Sequence, residues 1–321
     1  MGRGAGHPVT VPSLLDRAQG ALLGLACGDA VGTTVEFRPR GSFEPLTDMV
    51  GGGPFTLEPG QWTDDTTMAL CLAESLLECG GFDARDQMER YLRWYKTGYL
   101  SPTGRCFDIG NTVRQALLRF EESGNPFAGS TDPHSAGNGS IMRLAPVVLF
   151  FHPDSDAIDS HAAESSRTTH GAEEAVAGCR ILARIIHSAL SGMEKEELLG
   201  SVPPSEWMSP RLLEIAGGGF REKTRDQIRG SGYVVDSLDA ALWSFWTTSS
   251  FEEAILTAAN LGDDADTTAA VCGQVAGAYY GRSGIPERWL EQVWEGERIG
   301  EVARRLSGVT TAEVAGAEPG T

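Results

Sequence analysis

The sequence has no apolar run approaching the roughly twenty residues that a membrane-spanning helix needs. Its start, MGRGAGHPVTVPSLL, lacks the apolar stretch of a secretion signal. No C-x-x-C pair occurs among Cys27, Cys71, Cys79, Cys106, Cys179 and Cys272, which speaks against structural zinc and for a reducing compartment. These absences make a cytoplasmic protein the expectation. Cations are also scarce: 26 Lys and Arg face 44 Asp and Glu, a formal charge of −18. Such a field repels nucleic acid and anionic membranes, so a phosphate-bearing ligand would have to be held by local devices.

Three catalytic templates are missing as well. There is no G-K-[ST] of a phosphate-binding loop, no G-x-S-x-G elbow, and no G-x-G-x-x-G following a convincing strand. Alternating β-branched strands are nearly absent. Only residues 32–37 and 147–151 look extended, and neither has a hairpin partner.

What remains is helical periodicity. Apolar residues recur at three and four over 17–27, 68–79, 85–95, 112–122, 171–191, 237–246, 251–260, 267–280 and 289–306. The expectation is an all-α, compact single-domain fold spanning 13–309, with flexible tails at 1–12 and 310–321. Glycine is abundant, 40 of 321 residues, against an average of roughly 7%. Many glycines sit within helical segments, where they let helices pack closely. The piece VGGGPFTLEPGQ, residues 50–61, has the composition of a linker but is too short to divide the chain.

Two stretches share an unusual texture: WTDDTTMAL at 62–70 and LGDDADTTAAV at 261–271. Thr or Asp before a helix is an ordinary N-cap, worth about 1 kcal/mol. A cap needs one such residue, however, and here several stand together. Crowded carboxylates repel each other, and a divalent cation relieves that repulsion. Oxygen donors without nearby His or Cys suit hard ions such as Mg²⁺, Mn²⁺ or Ca²⁺. A calcium-binding EF-hand loop read from Asp264 fails, since Ala269 and Val275 occupy the glycine and glutamate positions.

With GALLGLACGDAVGTTVEF, CFDIGNTVRQAL and SAGNGSIMR, these motifs resemble the ADP-ribosylglycohydrolase family, in the family's order, from about Leu15 to Arg282. The resemblance implies an all-α fold with a central dinuclear cleft holding two Mg²⁺ (or Mn²⁺) ions. The implied ligands are Thr63, Asp64, Asp65, Asp264, Asp266 and Thr267. Asp263 replaces a glycine usual in the family and is not assigned as a ligand. If both clusters grip the same ions they must meet in space, which removes a two-domain arrangement.

The resemblance also implies catalytic roles for Glu36 and Asp108. Taken alone, Glu36 could be a solvated glutamate at a helix end and Asp108 a helix cap. Asp29 is expected to be a structural hydrogen-bonding residue in a turn. Ser135, Gly137, Asn138, Gly139 and Ser140 are implied ligand-binding residues, their turn offering backbone N–H groups to a diphosphate. An isolated G-N-G is otherwise a plain loop-to-helix turn. His170 is implied to line the ADP-ribose pocket and Tyr233 to stack on adenine; core packing is the competing role of each. The tryptophans at 62, 94, 207, 243 and 246 read as core or cleft wall.

The expected activity is metal-dependent hydrolysis that removes mono-ADP-ribose from a modified protein, foremost at the N-glycosidic bond to arginine. An O-linked serine, small-molecule or nucleic-acid conjugate is the alternative within the family. A dinuclear-metal phosphohydrolase and a noncatalytic ADP-ribose binding module are the alternatives outside it. The partners implied are a mono-ADP-ribosylated protein and ADP-ribose as product, with no membrane and no nucleic acid.

Overall fold

Gly20, Gly24, Gly28 and Gly32, four residues apart on the first helix, lie against the carbonyl oxygens of Gly277, Gly273, Ala269 and Ala265. A Cβ at any of the four would stand between 2.2 and 2.4 Å from those oxygens. In this computed structural model, which describes residues 11–198 and 202–309, two helices therefore run antiparallel with backbones in contact. Only residues without side-chain bulk permit that approach.

Fourteen α-helices occur among the described residues: α1 (Leu14–Gly32), α2 (Asp64–Cys79), α3 (Ala84–Thr97), α4 (Asn111–Ser123), α5 (Ala145–Phe151), α6 (Ser155–Thr169), α7 (Glu173–Leu190), α8 (Lys195–Leu198), α9 (Pro210–Ala216), α10 (Val234–Trp246), α11 (Phe251–Ala259), α12 (Ala265–Tyr280), α13 (Glu287–Gln292) and α14 (Gly296–Leu306). The central pair is α1 and α12. One continuous apolar core, from Ala18 near the start to Leu306 near the end, wraps around them. No strand forms among the described residues, which contain only three isolated bridges, Gly52 with Leu57, Ser130 with His170, and Gly137 with Tyr233. The all-α expectation holds.

The α1–α12 pair is tied at its far end by Arg17, a buried guanidinium that donates to the carbonyls of Ala278 (3.1 Å) and Tyr279 (2.6 Å). Those carbonyls belong to the last turn of α12, where they lack intrahelical partners. At the near end, the C-terminus of α1 meets the N-terminus of α12, and this junction positions the site.

Three local expectations need correction. Residues 147–151 are helical, not extended, because they complete α5 after a proline that suits its first turn. Residues 32–37 close α1 and pass through a 3₁₀ turn, Thr33–Val35. The periodicity over 289–306 is split between α13 and α14, with Glu295 at φ +53° and the Trp294 amide donating out of the helix to Gly60 O at 2.9 Å. Residues 50–61, linker-like only in composition, fold as a tight turn in which Gly52 and Leu57 exchange two backbone hydrogen bonds, at 2.7 and 2.9 Å.

Trp62, Trp94 and Trp243 are core residues. Trp207 and Trp246 are partly covered, with Arg180 at 3.9 Å from one ring centroid and Arg221 at 4.6 Å from the other. All six cysteines are free thiols. No described helix is long and apolar enough to cross a membrane. The tails expected at 1–12 and 310–321 lie, apart from residues 11 and 12, outside the described residues.

Candidate functional site

The N-terminus of α2 is capped from a different helix. Asp29, fully buried in α1, accepts from the amide and hydroxyl of Thr63, both at 2.9 Å, and from the amide (3.0 Å) and hydroxyl (2.7 Å) of Thr66. It is thus a structural residue, as expected, but within a helix rather than a turn. Burial pushes its carboxyl up, and the four hydrogen bonds oppose that push. Because Asp29 satisfies these donors, Thr63, the N-cap residue, makes no side-chain cap bond to α2. Asp264 likewise precedes α12 without capping it. The N-cap reading of both clusters therefore fails.

Freed from capping, the two clusters face each other. Thr63 Oγ1 is 3.4 Å from Asp266 Oδ2, and Thr267 Oγ1 is 3.4 Å from Asp65 Oδ2, although each pair is separated by about two hundred residues. Asp64, Asp65, Asp266 and Thr267 are buried. Burial first, and neighbouring carboxylates second, hold Asp64, Asp65 and Asp266 well above the usual carboxylate range. Asp264 is raised too, by burial, while Asn138 Nδ2 donates to its Oδ2 at 2.8 Å.

The buried oxygens Glu36 Oε2, Asp65 Oδ1, Asp108 Oδ2 and Asp266 Oδ1 have no hydrogen-bond partner among the described residues. One oxygen each of Glu36, Asp108 and Asp266 lies within 4.8 Å of the others. Buried carboxylates without donor or counter-ion are costly. A divalent cation answers both needs, and the all-oxygen donor set fits a hard one. The residues present therefore fit a metal site.

Glu36 and Asp108 reach this cluster from two loops. Glu36 follows the 3₁₀ turn and is only 3% exposed, which removes the solvated reading. Asp108 sits at φ +58° ahead of α4, whose N-cap is Gly110, so it does not cap that helix. Both carboxyls are raised, chiefly by burial. The loop carrying Glu36 is clamped to the second cluster by two backbone bonds, Phe37 N to Asp263 O (2.7 Å) and Asp263 N to Arg38 O (2.8 Å). Asp263 itself is exposed at φ +57°, a conformation a glycine would adopt more easily.

A cleft of about 710 Å³ opens over this cluster, and Glu36, Asp64, Asp108, Gly137, Asn138, Gly139, His170, Asp264, Asp266 and Thr267 all line it. Ser135 and Tyr233 line an adjoining cleft of about 580 Å³ that shares Gly137 and Gly232 with the first. Ser140 is different: its hydroxyl is buried and accepts from Ser166 Oγ at 3.0 Å. In the 137–140 turn the amides of Gly137 and Asn138 already donate, to Ser135 O (2.8 Å) and Gly232 O (3.0 Å). Those of Gly139 and Ser140 have no acceptor among the described residues.

His170 is buried, hydrogen-bonded through Nδ1 to Thr169 Oγ1 at 2.8 Å, and pushed down to about 3 by burial and by Arg143, so its imidazole is neutral. Its ring packs on the turn, since a Cβ on Gly139 would stand 2.8 Å from His170 Cε1. Tyr233 donates to Glu174 Oε2, and the Arg211 guanidinium lies 5.6 Å from its ring centroid. One positioning residue escaped sequence reading although its motif was noticed. Arg143, fully buried, donates to Gly139 O at 2.7 Å and Thr169 Oγ1 at 2.8 Å and so ties the turn to α6. An arginine in an apolar run was the available signal.

An all-helical body with a buried cluster of carboxylate and hydroxyl oxygens beneath an open cleft has the frame of a metal-dependent hydrolase. Comparison with known proteins is consistent with that class. Residues 10–315 match the family model described as ADP-ribosylglycohydrolase, and the chain belongs to the ADP-ribosylglycohydrolase family. It is 51% identical over 298 residues to an ADP-ribosylarginine hydrolase Tri1 of Pseudomonas putida (strain GB-1), covering 93% of this chain and 80% of that one. It is 35% identical over 292 residues to the ADP-ribosyl-[dinitrogen reductase] glycohydrolase of Rhodospirillum rubrum, covering 89% and 92% respectively. A solved structure titled "ADP-ribosylglycohydrolase-related protein complex" superposes with a TM-score of 0.83 at 46% identity, over 92% of this chain and 98% of that one.

Proposed function

We propose that this protein hydrolyses the bond between C1″ of ADP-ribose and the guanidino nitrogen of a modified arginine on a protein. The observation that carries the reading is the group of partnerless buried carboxylate oxygens at the floor of the cleft. The name of the relative that is 51% identical, an ADP-ribosylarginine hydrolase, favours arginine as acceptor. The acting unit is residues 13–309, and the six free thiols suit a cytoplasmic protein.

Two divalent cations, Mg²⁺ or Mn²⁺, held by Thr63, Asp64, Asp65, Asp264, Asp266 and Thr267 would supply polarisation of substrate oxygen and activation of water. The chain's own residues do the rest. The Gly139 amide, which lacks an acceptor among the described residues, is a donor for the diphosphate, with Gly137, Asn138, Ser135 and the Ser140 amide shaping the same turn. Neutral His170 forms the wall behind that turn. Tyr233, in the adjoining cleft, offers a ring for adenine.

Glu36 and Asp108, each raised and close together, manage protons. Water oxygen bonds to C1″ as the C1″–N bond breaks. One carboxyl takes the proton that water releases, and the other delivers a proton to the departing nitrogen. The products are ADP-ribose and unmodified arginine.

The test is mass spectrometry of products after mixing the protein with arginine- and serine-linked mono-ADP-ribosyl peptides, with Mg²⁺ and with a chelator. Metal-dependent release of intact ADP-ribose from the arginine peptide is expected. Release from the serine peptide alone would move the acceptor, phosphate or AMP as product would make the protein a phosphohydrolase, and binding without turnover would make it a reader.

A further inference from the structure

Both loops that carry the proton-handling carboxyls also carry a phenylalanine next door. Phe37 follows Glu36, lines the cleft and is 65% exposed, a large apolar side chain left in water. Phe107 precedes Asp108 and is partly exposed. Between them stands Phe55, whose ring centroid is 6.3 Å from that of Phe37, edge-on at 76°, and 5.1 Å from that of Phe107, tilted at 58°. The three rings form an arc from the neighbour of one carboxyl to the neighbour of the other.

The arc is held rigidly. Phe37 is fixed at φ +62°, a left-handed conformation disfavoured for a bulky side chain, by the bond from its amide to Asp263 O. Phe55 stands in the turn closed by Gly52 and Leu57 and by Thr56 N to Gly53 O at 3.3 Å. That turn is latched beneath the Glu36 loop, since a Cβ on Gly53 would stand 2.2 Å from Thr33 O. Backbone strain kept in place beside a cleft accords with a functional role.

Exposed Asp263 lines the cleft beside Phe37. Arg38, the neighbouring cation, is engaged elsewhere: it donates to Ser42 O at 2.6 Å and lies over the Phe43 ring at 5.4 Å from its centroid. Aromatic faces beside a carboxylate suit a flat, weakly hydrated cation. A glycosylated guanidinium is such a group, and a serine O-glycoside has neither plane nor charge.

We propose that Phe37, Phe55 and Phe107 are the acceptor subsite, where the guanidinium of the modified arginine stacks, and that this arc selects arginine-linked over serine-linked substrate. The inference rests on the reaction proposed above.

The experiment compares wild type, Phe55→Ala, Phe37→Ala and Phe55→Tyr on matched arginine- and serine-linked mono-ADP-ribosyl peptides, with calorimetric binding of free ADP-ribose as control. For Phe55→Ala, KM on the arginine peptide is expected to rise roughly 5- to 10-fold, the effect of one lost cation–π contact. Its kcat, its constants on the serine peptide and its Kd for ADP-ribose should stay within about twofold. Phe37→Ala should act in the same direction, and Phe55→Tyr should restore the wild-type KM.

An unchanged KM in both alanine variants, an equal change on both peptides, or a parallel loss of ADP-ribose affinity would overturn the subsite while leaving the reaction standing. A wild-type protein that releases ADP-ribose only from the serine peptide, or from neither, would overturn both.

Discussion

The carboxylate of Asp29 receives both the amide and the hydroxyl of Thr63, each at 2.9 Å, so that a residue of α1 finishes the first turn of α2. This cross-helix cap frees the side chains of Asp64 and Asp65 and leaves Thr63 facing Asp266. Replacing Asp29 with Asn would set an N–H₂ group against buried donors. The expected cost is on the order of 2–4 kcal/mol, together with weaker Mg²⁺ binding, because the Thr63–Asp65 segment would lose its anchor. Thermal melts with and without Mg²⁺ check this, and an unchanged midpoint with unchanged Mg²⁺ response would refute it.

Asp266 should behave in the opposite sense in the metal-free protein. Burial and the surrounding carboxylates oppose its charge, so Asp266→Asn is expected to raise the melting midpoint in chelator. The same variant should lose the Mg²⁺-induced rise and nearly all turnover. A variant that melts lower than wild type in chelator would show that the carboxylates do not strain the empty cluster.

Glu36→Gln preserves shape and removes the proton. Binding of ADP-ribose should stay within about threefold while the rate falls by roughly 10² to 10⁴, the range of general acid–base catalysis. Calorimetry and single-turnover kinetics separate the two readouts. Parallel loss of both would make Glu36 a structural residue.

His170 gives a pH dependence with a definite sign. Burial, with Arg143, lowers its folded-state value to about 3 from 6.5. Below 6.5 the unfolded chain takes up a proton that the folded chain refuses. The stability tied to the neutral ring is complete above about 6.5 and is lost as pH falls from there towards about 3. His170→Gln cannot take that proton, so its midpoint should fall less between pH 7 and pH 5 than that of wild type at saturating Mg²⁺. Equal slopes would show that the ring is protonated in the fold.

The sequence made the helices legible because their apolar spacing is strong, and it made the acidic clusters legible because they hold more carboxylate than a cap can use. Asp29 was harder to place. The helix around it is built of small residues and buried on every side from Gly20 to Gly32, so its sequence has little of the polar-apolar contrast that marks a helix, and GDAVG reads as a turn. Val147 to Phe151 looked extended since a short β-branched and aromatic run does not reveal its own period. The break between α13 and α14 depends on Gly60, far away in the chain, receiving the Trp294 amide. The aromatic arc was illegible for the same reason: Phe37, Phe55 and Phe107 lie on three loops, and no local pattern joins them.

The glycine-lined contact of α1 with α12 has a consequence for the timing of activity. Thr63 and Asp266, 203 residues apart, meet only when the last large helices have packed onto the first. A nascent chain that has emerged as far as α11 carries Glu36, Asp64, Asp65 and Asp108 but none of the carboxylates at the start of α12. It can neither balance their charge nor shape the cleft floor. Completion of the cleft floor therefore waits for the chain through α12.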